Sequence, residues 1–130
     1  MSKEFTFFDY FDADGNGSNV INDWLHNNGK DSKAFFNQII PHLEESPPSW
    51  MSKYTKFMRD DWQGFIELRK TGSIQYRLIG KMIGRYIYLI ACAIHKDQYF
   101  NATVSPKVAS ERVKQMVVNP KKYRRYHDYR

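Results

Sequence analysis

The chain reads GFIELR over residues 64–69, QYRL over residues 75–78 and RYIYLI over residues 85–90. Apolar and polar side chains alternate in the first two stretches, which is typical of β-strands that bury one face. The third stretch continues as a nearly unbroken apolar run to about His95 and predicts a central strand buried on both faces. Residues 70–74 then form a hairpin loop, and the stretches form neighbouring antiparallel strands.

Two arginines share one face of this predicted hairpin. Glu67 is expected to lie opposite Arg77 across the strand pair. Arg69 then lies opposite Gln75, which places all of these side chains on the same face. Because arginine binds phosphate oxygens at two points and keeps its charge, this face could hold an anion such as a phosphodiester. The alternative is an exposed ion pair between Glu67 and Arg77, which contributes little to stability.

The N-terminal part of the chain predicts one strand and two helices. Residues 5–11 are rich in aromatic side chains and are expected to form a strand. A short helix follows from about residue 18 to residue 29, and a second helix runs from residue 31 to about residue 43. Pro41 is expected to kink or end the second helix, because proline lacks the amide proton that would bond to Asn37.

Glycine, proline and capping residues predict the remaining connections. Residues 80–84 are expected to form a turn between two glycines, and residues 96–104 are expected to form a loop. Residues 50–62 fit either a helical turn or a covered loop. Ser105 is the expected N-cap of a final helix whose first position is Pro106.

These elements together predict an α+β fold with a single domain over residues 1–118. An antiparallel sheet of about four strands would carry the two N-terminal helices packed on it, followed by a C-terminal helix. Residues 119–130 are basic and aromatic. We expect them to form a tail that is either flexible or ordered by a partner.

The composition predicts a protein that folds without disulfide bonds or metal. Cys92 is the one cysteine in 130 residues, so no disulfide can form within the chain, which suits a reducing compartment. The sequence has no signal segment and no apolar run of roughly 20 residues, and a soluble, cytoplasmic protein is expected. Neither a metal nor a cofactor is expected, because no Cys/His cluster or phosphate loop is visible. Residues 12–23 match a calcium loop only in part and are interpreted as a turn.

Positive charge is concentrated toward the C-terminus. Residues 1–61 carry six Lys or Arg and ten Asp or Glu, whereas residues 107–130 carry eight and two. Basic segments bind nucleic acid because their side chains replace the counterions of the phosphates. A solvated basic face without a partner fits the charge equally well.

Four short motifs occur in order along the chain: NVINDWL at residues 19–25, WQGFIELR at residues 62–69, YRL at residues 76–78, and the apolar strand that ends in His95-Lys96. Together they resemble the RelE/ParE toxin superfamily, and most closely its phage-derived, HigB-like branch. The resemblance implies a small RelE-like fold and the toxin component of a type II toxin-antitoxin system, an endoribonuclease that cuts ribosome-bound mRNA. Its implied partners are mRNA, the ribosome and a cognate helix-turn-helix antitoxin.

Metal-independent RNA cleavage requires deprotonation of the 2′-hydroxyl, neutralisation of charge at phosphorus and protonation of the leaving oxygen. Arg77 and Arg69 are the candidates for charge neutralisation, and His95 and Lys96 are the candidates for proton transfer. The candidate RNA-binding residues are Tyr99, Lys121, Lys122, Arg124, Arg125 and His127. A strand-end histidine without a catalytic role remains an alternative for His95.

Two other functions fit the same residues. A non-catalytic RNA- or ribosome-binding module of phage origin would use the basic tail and its tyrosines. A ParE-like protein would instead block DNA gyrase by protein contact, and its arginine face would be incidental.

Overall fold

A computed structural model of the chain describes residues 4–12, 18–28, 30–45, 54–72, 74–96, 99–119 and 122–125. The described strands are β1 (Thr6–Asp12), β2 (Ser18–Asn19), β3 (Thr55–Phe57), β4 (Ile66–Lys70), β5 (Gln75–Ile83), β6 (Tyr86–Lys96), β7 (Tyr99–Ala102) and β8 (Tyr123–Arg125). The described helices are α1 (Val20–Asn28), α2 (Lys30–Glu45) and α3 (Pro106–Val118), with a 3-10 helix over Asp60–Trp62. The general α+β class that the sequence predicts is confirmed.

The strands form one mixed sheet. Its main path runs in the order β2-β1-β6-β5-β4-β3, while β7 pairs with β6 and β8 pairs with β1. Strands β4, β5 and β6 are antiparallel neighbours, as predicted, whereas β1 lies parallel to β6. The sheet is larger than the predicted four or so strands, because short segments such as β3 and β8 extend it and are too short to give a clear period-two pattern.

Helices α1 and α2 pack on one face of the sheet, as predicted. Their fully buried side chains meet apolar residues of the strands, and the larger members of this cluster are Phe7, Ile21, Leu25, Phe36, Ile40, Leu68, Leu78, Ile87 and Leu89. Helix α2 continues past Pro41 to Glu45, so of the two effects predicted for this proline, ending the helix is wrong. Burial of Ile40 and Leu43 on either side of Pro41 stabilises this last turn, since tertiary packing supplies most of the stability of a helix.

Helix α3 packs on the opposite face. Its buried residues are Ala109, Val113 and Met116, which join a cluster that includes Phe65 and Ile79 of the sheet. The Ser105 side chain accepts a hydrogen bond from the Val108 amide at 3.2 Å, and Pro106 occupies the first turn. The predicted cap of this helix is therefore confirmed.

A β-bulge interrupts the pairing of β5 with β6. Ile79 pairs with Ala91 whereas Gly80 pairs with Leu89, which leaves Ile90 as the extra residue. Arg112 of α3 donates a hydrogen bond from Nη1 to the Ile90 carbonyl oxygen at 2.8 Å. The bulge is thus bonded to the helix that covers it.

Gly80 lies on β5 opposite this bulge of β6, and the predicted turn over residues 80–84 is wrong. Strand β5 runs through Gly80 to Ile83, and the turn falls on Gly84 and Arg85. A Cβ atom on Gly80 would lie 3.0 Å from the Tyr88 carbonyl oxygen. The glycine is needed here because the two strands approach closely, not because the chain reverses.

Three further segments are more ordered than the sequence predicts. Residues 96–104, predicted as a loop, contain β7. Residues 50–62, predicted as a helical turn or a covered loop, contain the unpredicted strand β3 together with one helical turn, the 3-10 helix. In the basic segment after residue 118, Tyr123–Arg125 form β8, which pairs with β1. None of the helices in the described residues is long and apolar enough to cross a membrane.

Candidate active site

A surface pocket of about 370 Å³ opens on the face of the sheet that carries α3. Strands β4, β5 and β6 contribute Glu67, Arg77 and His95 to it, β7 contributes Phe100, and the 3-10 helix contributes Trp62. Antiparallel pairing of these strands brings together residues that are far apart in the sequence. The pocket therefore combines a carboxylate, a guanidinium, an imidazole and two aromatic rings.

Arg77 and Glu67 form a buried ion pair in this pocket. Arg77 Nη1 donates to Glu67 Oε1 at 2.8 Å, and the two side chains are only 7% and 3% exposed. Arg77 Nη2 donates to the Gln75 side chain. The Nε atom of Arg77 is buried without a hydrogen-bond partner among the described residues. The guanidinium is thus held in one orientation with donor capacity still unused.

Arg69 lies beside this pair, in a register that differs from the predicted one. Its Nε atom is 3.7 Å from Glu67 Oε1. Arg69 pairs with Arg77 and Glu67 pairs with Ile79, so the predicted pairing of Glu67 with Arg77 is wrong by two residues. Side chains return to the same face every second residue, and a shift of two therefore leaves the predicted shared face intact.

His95 reaches the pocket from the neighbouring strand. It pairs with Gln75, which itself accepts a hydrogen bond from Arg77. The His95 ring packs edge-on against Phe100 with a centroid distance of 6.1 Å. Its Nδ1 atom is buried and has no hydrogen-bond partner in the part of the chain that the structure describes. An imidazole with an unengaged nitrogen in a polar pocket is suited to proton transfer.

Aromatic rings line the same pocket. Phe100 lies 6.5 Å from Trp62 between ring centroids, and the Arg77 guanidinium carbon lies 5.9 Å from the Phe100 centroid. Trp62 also packs against Phe65 at 5.4 Å. Rings beside a cationic group are suited to an unpaired nucleobase, whose flat face stacks on them while the cation binds its phosphate.

The segment between β3 and β4 completes the pocket. Lys56, Arg59 and Asp60 line it and are exposed. Asp60 has a φ of 58°, in the left-handed region that non-glycine residues seldom adopt. Aspartate is one of the residues that tolerate this region, which it adopts in turns. Lys56 and Arg59 add positive charge at the entrance, which favours a polyanionic ligand.

The structure brings only some of the predicted catalytic residues together. Arg77 and His95 line the pocket, and Arg69 lies next to Glu67. Lys96 is exposed and is not among the residues that line the pocket, since successive residues of β6 alternate between the two faces.

The predicted RNA-binding residues fall mostly outside what the structure describes. Tyr99 begins β7, and Arg124 and Arg125 belong to β8, but their side chains are outside the described residues. Lys121 and His127 lie wholly outside the described residues. Lys122 is described and is buried, with its amide donating to the Asn119 carbonyl oxygen at 3.0 Å.

Trp62 and Phe100 are not among the residues predicted for the site, and Glu67 is predicted only as an ion-pair partner. Phe100 pairs directly with His95, so the prediction of a strand over residues 99–102 would have placed the ring beside the histidine. The position of Trp62 is set by the 3-10 helix after β3. This helix is too short to produce a periodic pattern in the sequence. A catalytic role for the Glu67 carboxylate is indicated only by its short distances to Arg77 and Arg69, which the sequence does not give.

The chain matches no protein-family model, no curated protein and no solved structure in the comparisons made. What the pocket can do chemically therefore carries the functional conclusion. A carboxylate that can accept a proton, a fixed guanidinium and a neighbouring imidazole suit general acid-base chemistry on a phosphodiester.

Proposed function

We propose that this chain is the toxin component of a type II toxin-antitoxin system, of the RelE/ParE superfamily and its HigB-like branch, and acts as a metal-independent endoribonuclease on ribosome-bound mRNA. The observation that carries the proposal is the pocket in which Glu67, Arg77 and His95 meet beside two aromatic rings. These groups meet the requirements of RNA cleavage by acid-base chemistry alone. The resemblance of four short motifs to the superfamily supports the choice of mRNA as substrate.

Each of the central residues has a distinct role in the proposed reaction. The Glu67 carboxylate accepts the proton of the 2′-hydroxyl as the 2′ oxygen attacks phosphorus. Arg77 stabilises the negative charge that builds up on the phosphate oxygens. His95 in its protonated form donates a proton to the 5′ oxygen as the bond from phosphorus to that oxygen breaks. The products are a 2′,3′-cyclic phosphate and a 5′-hydroxyl.

The surroundings of the pocket support RNA as the ligand. Trp62 and Phe100 offer rings on which bases next to the cleaved bond can stack. Lys56 and Arg59 lie where neighbouring phosphates would pass. A ribosome and a helix-turn-helix antitoxin are proposed as partners because the superfamily resemblance implies them. The cytoplasm follows as the proposed location.

A translation reaction with end-labelled mRNA and purified ribosomes tests the proposal. The wild-type protein is expected to cut the message only when ribosomes are present. His95→Gln is expected to slow cutting by about 100-fold or more, since it removes a general acid. His42→Gln is the matched control, because His42 is an exposed histidine on α2, and it should cut like the wild type. An intact message in every lane would contradict the proposal.

A non-catalytic RNA-binding module is the second candidate, and the burial of Arg77 favours it. Glu67 and Gln75 already bind this guanidinium, and its side chain is only 7% exposed. In that case Arg77 would shape the pocket without contacting the scissile phosphate. Salt-dependent RNA binding without cleavage in the same reaction would support this candidate.

A further inference from the structure

A second group of aromatic residues lies on the same face of the sheet as the candidate active site. We call Phe8, Tyr86 and Tyr88 the tyrosine platform. The Phe8 ring stacks on Tyr88 at 5.5 Å between centroids and packs against Tyr86 at 5.7 Å. Tyr86 is 50% exposed, whereas Tyr88 is buried beneath the other rings. An exposed ring thus rests on a fixed aromatic base.

The tyrosine platform is separate from the pocket. Tyr86 pairs with Ile83 at the far end of β5, six positions along the strand from Arg77. At the rise of a β-strand this corresponds to about 20 Å. A ligand group that contacts Arg77 in the pocket is therefore too far away to contact the Tyr86 ring as well.

Two cations lie near the tyrosine platform on the same face of the sheet. Lys81 pairs with Tyr88, and its ammonium group extends toward β4, where it lies 5.3 Å from the Phe65 ring centroid. Arg85 is exposed in the turn just before Tyr86. Strand β8 brings the basic C-terminal segment to the adjoining edge, where Arg125 pairs with Phe8. An exposed ring with cations on the same face of the sheet favours a ligand that carries both flat bases and phosphates.

The strands next to β6 carry an excess of cations on this face. On β3, β4 and β5, every residue of which is described, the cations on this face are Lys56, Arg69, Arg77 and Lys81. The carboxylate on this face of the same strands is Glu67, and Arg77 already pairs with it. An acidic polymer is therefore favoured over a partner of mixed or positive charge.

We propose that the tyrosine platform binds single-stranded RNA, with one base stacked on Tyr86 and the flanking phosphates near Lys81 and Arg85. This inference deepens the proposed function and rests on it for the choice of RNA. The platform holds the strand at a point remote from the cleaved bond. Its contribution is to affinity for the RNA and not to the chemical step.

Fluorescence anisotropy of a labelled, unstructured RNA with the full chain tests this proposal. Tyr86→Ala is expected to weaken binding about tenfold, within the range for loss of one base-aromatic stack. Tyr86→Phe keeps the ring and should bind like the wild type. Phe57→Ala is the matched control, because Phe57 is an aromatic residue that is 56% exposed and pairs with Ile66 of the other core cluster. It should leave binding unchanged.

Arg85→Gln is a second, independent variant, and it leaves the aromatic packing unchanged. It is expected to reduce the slope of the logarithm of the binding constant against the logarithm of the salt concentration by about 1, which corresponds to the loss of one phosphate contact. A duplex of the same sequence should bind the wild type and Tyr86→Ala equally, because its bases are not free to stack. Equal binding of single-stranded RNA by the wild type and Tyr86→Ala would overturn the proposal, and so would an equal loss in Phe57→Ala.

The outcome is separable from that of the proposed function. Loss of RNA affinity in Tyr86→Ala, in a protein that never cuts ribosome-bound mRNA, would support the tyrosine platform and contradict the nuclease. Ribosome-dependent cleavage with no effect of Tyr86→Ala on RNA binding would overturn the platform alone. A protein partner that needs Tyr86, together with unchanged RNA binding, would likewise overturn it.

Discussion

At the scale of the residue, the ion pair between Glu67 and Arg77 determines the character of the candidate site. Both side chains are almost completely removed from water, so each charge depends on the other. The Gln75 side-chain oxygen accepts a hydrogen bond from a second nitrogen of the guanidinium, Nη2. A cation fixed in this way needs no reorganisation when negative charge develops next to it, which is what electrostatic catalysis requires.

Glu67→Gln is expected to lower the free energy of unfolding by about 3–5 kcal/mol, because it leaves Arg77 as a buried charge without its counter-ion. Urea unfolding followed by circular dichroism measures this effect. The control is the double variant Glu67→Met with Arg77→Met, which removes both charges and should be close to the wild type. A loss below about 1 kcal/mol in Glu67→Gln would show that the pair is solvated.

Cys92 is expected to be unreactive toward thiol reagents in the folded protein. Burial raises the pKa of the Cys92 thiol well above its ordinary value, and the nearby Asp9 carboxylate raises it further. Because the thiolate is the reactive form and the side chain is inaccessible, iodoacetamide should modify it only in the unfolded chain. Mass spectrometry of native and urea-treated protein measures the difference. Equal rates in the two samples would contradict the burial of Cys92.

The sequence predicts the residue types of the site better than its contacts. The alternation around Glu67 and Arg77 correctly places both on one face, because that property depends only on a period of two. The register between the strands depends on the hairpin loop, and the sequence does not specify how many of residues 70–74 it takes up. Phe100 could not be placed, since residues 99–102 lack an apolar alternation.

At the scale of the element, helix α2 shows tertiary packing prevailing over a local signal. Pro41 disfavours a continuous helix, yet α2 extends to Glu45 because Ile40 and Leu43 are buried. In the same way Gly80 indicates a turn locally but lies inside the long strand β5, opposite the bulge of β6. Ser105 with Pro106 is the opposite case, because the cap is a local motif and is confirmed as predicted.

Pro41→Ala is expected to raise the free energy of unfolding by about 1–3 kcal/mol, because it restores the amide donor that proline lacks inside a helix. Pro41 is exposed, so the change leaves the core intact. Gln38→Ala, at another exposed position of α2, is the control and should alter stability by less than about 0.5 kcal/mol. An unchanged or lower midpoint of urea unfolding for Pro41→Ala would contradict this expectation.

At the scale of the whole molecule, the two faces of the sheet differ in how much of each is covered by helices. One face is covered by α1 and α2 around the larger apolar cluster and supplies stability. The other is only partly covered by α3, and it carries both the pocket and the tyrosine platform. The hydrogen bond from Arg112 to the Ile90 carbonyl oxygen, at the bulge of β6, attaches α3 to this face.

The central claim is that Glu67, Arg77 and His95 cleave RNA by acid-base chemistry without a metal ion. The most direct measurement maps the chemistry of the ends of mRNA fragments produced on purified ribosomes. We expect fragments that end in a 2′,3′-cyclic phosphate and begin with a 5′-hydroxyl, because the 2′ oxygen is the nucleophile and no metal-activated water takes part. Uncut mRNA, or fragments with 3′-hydroxyl and 5′-phosphate ends, would contradict the claim.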